Sequence, residues 1–533
     1  MLSSVRAVRF TLCLIYFDPL VVIVCQTVSS ALRLLSHLSI HDSVRAALCQ
    51  HGQTVCASMT SWAARGRVER VVDTASASAP QTPPSSDLLS TVPADSKVLS
   101  DIQLGALGVL SNASYEPKIK ALLRVHDNLA AAYPVLSVLT SYLIFDPAKD
   151  AVFTDAQRLL CMSSALSAIT NLLALPDARV VFASRRDEVV RIGLLLYRLC
   201  KLYIGDAAAS SGVLSVLEKT LGVVFNAMVE GRCCDIVQCD LDATSADVMV
   251  HACTEGASAI FASSTCVDAL LPLLELERSS LTVRCRATGV LSRVLKAPKA
   301  KEHSLTTRSI TVLLSTLAWA RESQGHARDL ADAKQGPAVE HNASDTEDGT
   351  DSTQLIATVE HAVRALTLLL SAGTQEQCQQ LIDFTVEQRA IPGSTAAVRS
   401  TAPFLRVSGV KIMADVLTDA VFRTRLNVVG NVALIIAGCA KHKPLIPLLG
   451  DTVVPLVSTL QYALSEQAQQ PAASAKLPAS AAAASTAKNA AIALSRLAPH
   501  PPFMSQLQAN RGMELMFSAL NAVSSKAPAA GHR

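Results

Sequence analysis

The sequence predicts an all-α fold, a solenoid of stacked helical repeats, and three observations carry that prediction. The first is an eight-residue pattern with apolar residues at positions one, four, five and eight. It starts at Ala31, Ala106, Ala165, Thr220, Ala287, Ala362, Val432 and Ala490. The spacing i, i+3, i+4, i+7 puts the four on one face of a helix. Of the thirty-two such positions only Thr220 is not apolar. The second is composition. Half of the residues are hydrophobic but only 4% are aromatic, so the apolar content is mainly alanine, leucine and valine, which suits close helix packing. The third is length: 533 residues exceed what one compact core holds, so several domains or a solenoid is expected.

Taken in order, the patterned stretches alternate with helix punctuation. Ala31–Leu38 is followed by His41-Asp42-Ser43, where Asp42 or Ser43 suits the cap of a new helix. Residues 74–97 are rich in Ser, Ala and Pro and read as a mobile loop. Pro117 and Pro176 follow the second and third patterns, at positions that fit the first turn of the next helix. Pro298 falls in the equivalent place after Ala287–Val294, and a helical run follows from Ser309 to Trp319. Residues 322–352 carry Glu340, Asp345, Glu347, Asp348 and Asp351 among Gly, Ser and Thr, and read as a disordered acidic loop in which Ser344 and Thr346 are candidate phosphorylation sites. The pattern resumes at Ala362, Val432 and Ala490, with a second loop at 465–486 and a last helix near Gly512–Leu520.

The expected organisation is therefore N-terminal repeats over 1–321, the acidic loop 322–352, C-terminal repeats over 353–522 and a polar tail at 523–533. Starts of successive patterns are 55 to 75 residues apart. A bare three-helix unit needs about 40–47. The excess implies insertions or helices that the pattern misses, with Leu194–Leu199 and Leu270–Leu274 as candidates.

Charge and cysteine usage narrow the function. With 47 basic and 44 acidic residues the net charge is +3, which gives no electrostatic reason to expect nucleic acid or an anionic membrane as partner. Fourteen cysteines lie scattered in apolar helical contexts, such as Cys161, Cys200, Cys285 and Cys439. They read as buried free thiols, and hence as a cytoplasmic protein. Near the N-terminus, apolar runs at Phe10–Phe17 and Leu20–Cys25 follow Arg6 and Arg9, but Asp18-Pro19 separates them. Neither run reaches the roughly 18–20 residues that span a bilayer, so a buried first helix is expected in place of a targeting segment or anchor.

Ala-Leu-Gly-Val-Leu-Ser-Asn at 106–112, Ala-Leu-Ser-Ala-Ile-Thr-Asn at 165–171 and Val-Leu-Ser-Arg at 290–293 resemble armadillo repeats. That resemblance implies a right-handed α-solenoid of armadillo/HEAT-like repeats with disordered insertions. It also implies a non-catalytic scaffold that binds extended or helical partner segments in a concave groove. Gly-Asn-Val-Ala-Leu at 430–434, Lys-Asn-Ala-Ala-Ile-Ala-Leu at 488–494 and Gly512-Met513-Glu514-Leu515 look like the C-terminal armadillo segment of tetratricopeptide/armadillo proteins implicated in cytoplasmic preassembly of axonemal dynein arms. This narrower resemblance implies dynein chains or co-chaperones as partners. No tetratricopeptide pattern accompanies it.

In armadillo arrays an asparagine near the end of the groove-lining helix pairs with the ligand backbone. The matching seventh position here holds His37, Asn112, Asn171, Asn226, Arg293, Leu368, Gly438 and Arg496. It lies about 110° from the centre of the apolar seam, at the flank. The resemblance thus implies a groove lined by His37, Asn112, Asn171, Asn226, Arg293 and Arg496, clearest at the three successive asparagines. Leu368 and Gly438 argue against a groove in the C-terminal half. The competing reading is that the asparagines cap loops between helices.

Catalytic and cofactor motifs are not found: no Gly-rich phosphate loop, zinc-peptidase His pair or nucleophile elbow. Cys233-Cys234, Cys239, His251 and Cys253 lack the paired spacing of a metal site and read as incidental thiols. Arg185, Arg186 and Arg191, and Arg284, Arg286 and Arg293, are basic clusters that suit an acidic partner or a solvated helix face. A nuclear-transport-like adaptor for basic peptides is the alternative function. It needs acidic, tryptophan-bearing grooves, and the chain has only Trp62 and Trp319.

Overall fold

The structure, a computed structural model, describes residues 22–64, 96–124, 133–143, 154–206, 211–228, 264–296, 307–334, 348–389, 404–469 and 478–524. Its described residues are almost entirely helical. The chain divides into two compact units, Met1–Ala269 and Leu270–Arg533.

In the first unit the described helices are α1 (Val22–Leu38), α2 (Asp42–Gln50), α3 (Gly52–Ala64), α4 (Ser96–Ala113), α5 (Pro117–Leu122), α6 (Pro134–Ser141), α7 (Asp155–Leu172), α8 (Pro176–Ser184), α9 (Arg186–Gly205) and α10 (Ser211–Ala227). The unit boundary falls within α11 (Ser264–Glu275). The apolar pattern occupies the last turns of α1, α4, α7 and α10. These helices pack in succession, α1 on α4, α4 on α7 and α7 on α10. A second set backs them, with α3 against α4 and α9 against α10.

In the second unit the elements are α12 (Leu281–Val294), α13 (Thr307–Lys334), α14 (Asp348–Leu370), α15 (Gln375–Asp383), β1 (Thr385–Arg389), β2 (Phe404–Ser408), α16 (Gly409–Thr418), α17 (Leu426–Cys439), a 3₁₀ segment (Lys443–Thr452), α18 (Val453–Gln469), α19 (Pro478–Leu497), α20 (Pro501–Ala509) and α21 (Gly512–Ser524). Here α12, α14, α17 and α19 carry the pattern and again pack in succession, backed by α13 against α14 and α18 against α19.

The stripe is the core. Every one of its positions is buried except Leu34, which is 48% exposed, and Leu38, which is half-buried. Burial of each such leucine contributes about 1.5–3 kcal/mol. In α1 the buried line runs instead through Val28, Leu32 and Leu35, one step round the helix from the expected face. Thr220, the polar exception, is fully buried, but its hydroxyl donates to Val216 O at 2.8 Å and so is satisfied. Pro117 and Pro176 sit in the first turns of α5 and α8, and the missed helices at Leu194–Leu199 and Leu270–Leu274 lie within α9 and α11. Cys161, Cys200 and Cys439 are buried and in no disulfide, and Cys285, also in none, is half-buried.

Several expectations need correction. His41, not Asp42 or Ser43, is the N-cap of α2; Asp42 is already helical and pairs with Arg45. Helix α13 continues to Lys334 and α14 starts at Asp348, so the segment read as a loop over 322–352 is helical at both ends. Extending a helix already anchored in the core adds one hydrogen bond per residue and needs no new nucleus. Likewise α18 reaches Gln469 and α19 starts at Pro478, within the loop expected at 465–486. Helix α4 takes in Ser96 and Lys97, and α21 reaches Ser524.

Two strands stand where the sequence reading named no element. Thr385 pairs with Ser408 and Arg389 with Phe404 in an antiparallel register. Gly409 N donates to Phe384 O at 2.9 Å and closes the base of the hairpin. Strands of five residues give too short a period-two signal to stand out beside long helical patterns. The remainders of the loops expected at 74–97, 322–352 and 465–486, the tail beyond 524, the run Phe10–Phe17, Pro298 and the cluster Cys233 to Cys253 lie outside the described residues. One described stretch, Lys443–Gln469, is long and apolar enough to cross a bilayer, but half of its most apolar window is buried in the core.

Candidate functional site

The seventh pattern position builds cross-links between neighbouring helices. In the first unit Asn112 Nδ2 on α4 donates to Ser36 O at 2.9 Å and to Ser39 Oγ at 3.1 Å at the end of α1. Asn171 on α7 repeats this toward Ser111 O at 3.2 Å and Ser114 Oγ at 3.0 Å. Asn226 on α10 donates to Thr170 O at 3.0 Å. In the second unit Arg496 on α19 reaches Ala437 O at 2.5 Å. Each acceptor carbonyl is at the sixth position of the preceding pattern. It belongs to the last turn of its helix, where carbonyls have no partner within the helix. The asparagines therefore cap the end of the helix before their own and, at Ser39 and Ser114, the turn that follows it, which is the capping use of the two expected. Each remains half-buried, and the amide oxygen of Asn112, Asn171 and Asn226 has no partner among the described residues.

The other seventh positions behave differently. His37 is exposed and makes no side-chain hydrogen bond among the described residues. Gly438 is forced by contact: a Cβ there would lie 2.4 Å from Leu370 O and 3.0 Å from Ser371 Cα. Leu368 is half-buried and lines a cavity.

That cavity, of about 750 Å³, lies across α14, α17 and α19 in the second unit. It lies in the half of the chain where Leu368 and Gly438 argued against a groove, and Leu368 is one of its lining residues. Its walls are the residue just before each pattern, namely His361, Asn431 and Asn489, together with Arg364 and Leu368. Positions zero, three and seven fall within about 60° of arc on a helix, so they share one flank. Helix α19 is held against α17 by Thr486 Oγ1 to Leu426 O at 2.7 Å and Asn489 Nδ2 to Gly430 O at 3.1 Å. Gly430 permits this approach, since a Cβ on it would meet Thr486 Oγ1 at 2.6 Å. Asn427 and Asn431, one turn apart on α17, keep side-chain amides without a partner among the described residues.

The cavity is cationic. Lys296, Arg364 and Arg425 face it against Glu360, which pairs with Arg425 at 2.7 Å. Arg364 is exposed and has no carboxylate partner among the described residues. Burial, with Arg293 and Arg364 adding repulsion, pushes the His361 imidazole down from 6.5 to about 4, so it is neutral near pH 7. Arg293, a predicted groove residue, thus acts here through its charge.

The basic clusters separate. Arg284 is buried, donates to Leu274 O at 3.2 Å, Leu276 O at 2.8 Å and Glu277 O at 3.3 Å, and stacks 4.3 Å from the Trp319 ring. It closes the end of α11 and is not a solvated partner contact. Arg185 similarly holds Ser137 Oγ at 2.7 Å and Glu188. Among the described residues no group of His, Cys, Asp and Glu is placed to hold a metal ion.

No family model matches the chain, and no curated protein matches it. Among solved structures it is similar to the crystal structure of SYS-1, at 9% identity and a TM-score of 0.32 over 93% of this chain and 86% of that one, a likeness too slight to carry an argument.

Proposed function

We propose that the chain is a non-catalytic protein–protein scaffold, an armadillo/HEAT-like α-solenoid that receives a partner segment on the flank of its patterned helices. The observation that carries this is the cavity of about 750 Å³ shared by three successive patterned helices and lined by amides and charges. The amides of Asn427 and Asn431, without a partner among the described residues, offer both donor and acceptor, as a peptide backbone requires. The cationic lining disfavours the basic-peptide adaptor reading, because like charges across a site cost affinity.

The test is a photo-crosslinker installed at Asn431 and, in a second variant, at exposed Leu448 on the 3₁₀ segment. Capture of the same protein from Asn431 but not from Leu448 in cells supports the scaffold. Equal capture from both positions overturns it. If dynein chains and co-chaperones are the proteins captured, the dynein-arm assembly version gains support; nuclear import cargo favours the adaptor.

A further inference from the structure

The reading above leaves the chemistry of the partner segment open. Three features of the cavity narrow it. Among the described residues that line it, Lys296, Arg364 and Arg425 are cationic and Glu360 is the carboxylate, which Arg425 already engages. Arg364 lines the space, is exposed, and has no counter-ion among the described residues. The floor between the charges is α17, where Asn427 and Asn431 stand one turn apart.

We propose that this cavity takes an extended acidic segment of a partner protein, with a carboxylate at Arg364 and backbone groups at Asn427 and Asn431. A guanidinium meets a carboxylate through two parallel hydrogen bonds, which favours Arg364 as the anchor. A small anion would leave the amides unused, and the cavity spans three helices. A chain with carboxylates on alternate residues uses both, because side chains of an extended segment point to alternate sides. The proposal rests on the reading that this flank is a partner site.

The test uses the full chain and three labelled probes: peptides of alternating Glu and Ser, of Gln and Ser, and of Lys and Ser. Fluorescence anisotropy is expected to give the Glu peptide an affinity about tenfold or more above the Gln peptide, falling with added salt. Arg364→Glu is expected to weaken the Glu peptide by about tenfold or more and to improve the Lys peptide. Arg364→Gln, a milder change at an exposed site, is expected to fall between. The His361 imidazole, followed by NMR, is expected to titrate at higher pH when the Glu peptide is bound, because the peptide offsets Arg293 and Arg364. Equal binding of the three peptides overturns the acidic preference and leaves the partner groove standing. Unchanged Glu-peptide affinity in a folded Arg364→Glu variant also overturns the proposal, as does tighter binding of oligo-dT than of any peptide. If no peptide binds and Asn431 captures nothing, both readings fail.

Discussion

The two units use the same helical flank to different extents. In the first, the seventh pattern position is an asparagine on three successive helices, and each amide N–H is spent on the preceding helix. In the second, that position is Arg293, Leu368, Gly438 and Arg496. The polar work moves to the residue before the pattern, and a cavity opens between the helices. The seam is the same alanine- and leucine-bearing stripe in both, and it is nearly everywhere buried. What differs is how much of the flank is tied: in the second unit Arg496 and Asn489 still reach the preceding helix, while Arg364, Asn427 and Asn431 line the cavity beside it. A helical repeat can thus keep one core rule and vary its surface through two positions.

The largest way to test the shared seam is Leu366→Ala in α14, at a fully buried position. It is expected to cost about 2–5 kcal/mol, read as a lower urea midpoint. A loss below about 1 kcal/mol would mean the stripe is not the core. The next effect separates the units by pH. Because the folded pKa of His361, about 4, lies below 6.5, the unfolded chain binds the proton first as pH falls. Stability is intact above about 6.5 and is lost as pH drops toward about 4, by up to about 3 kcal/mol. His361→Gln is expected to flatten that limb of the stability profile; an identical limb in the variant would refute the assignment.

Smaller changes address how the flank is tied. Gly430→Ala forces Thr486 to move and is expected to destabilise by about 1–3 kcal/mol, with Thr486→Ala in the same chain recovering part of it. Asn171→Ala removes one cross-link, and thermal denaturation is expected to report about 0.5–1.5 kcal/mol. At the bottom of the scale, Leu34→Ala is expected to stay within about 0.5 kcal/mol, since that side chain is 48% exposed; a core-sized loss there would restore the pattern's original face in α1.

The helical fold and its buried positions were legible because a period of 3.6 repeats eight times and the four seam positions see the same environment. Thr220 did not break it, since a hydroxyl can be satisfied within its own helix. The hairpin at Thr385–Ser408 was not legible: its strands are short and their order depends on pairing with each other. The site was half legible. Position seven lies beside the seam by helix geometry, but whether Asn171 faces solvent or the Ser111 carbonyl depends on the spacing of two helices. The cavity residues His361, Asn431 and Asn489 carried one overlooked signal, their shared place just before the pattern, on the same arc as position seven. That Arg284 would be buried needed the end of α11 and the Trp319 ring to be in view.

The stacking of Arg284 on Trp319 has a practical outcome. Trp62, in α3, is 5% exposed and belongs to the first unit, and Trp319, in α13, belongs to the second. Since the chain has just these two indoles, each unit carries its own native fluorophore. Emission from Trp62→Phe and Trp319→Phe proteins would follow the melting of each unit separately, without any added label.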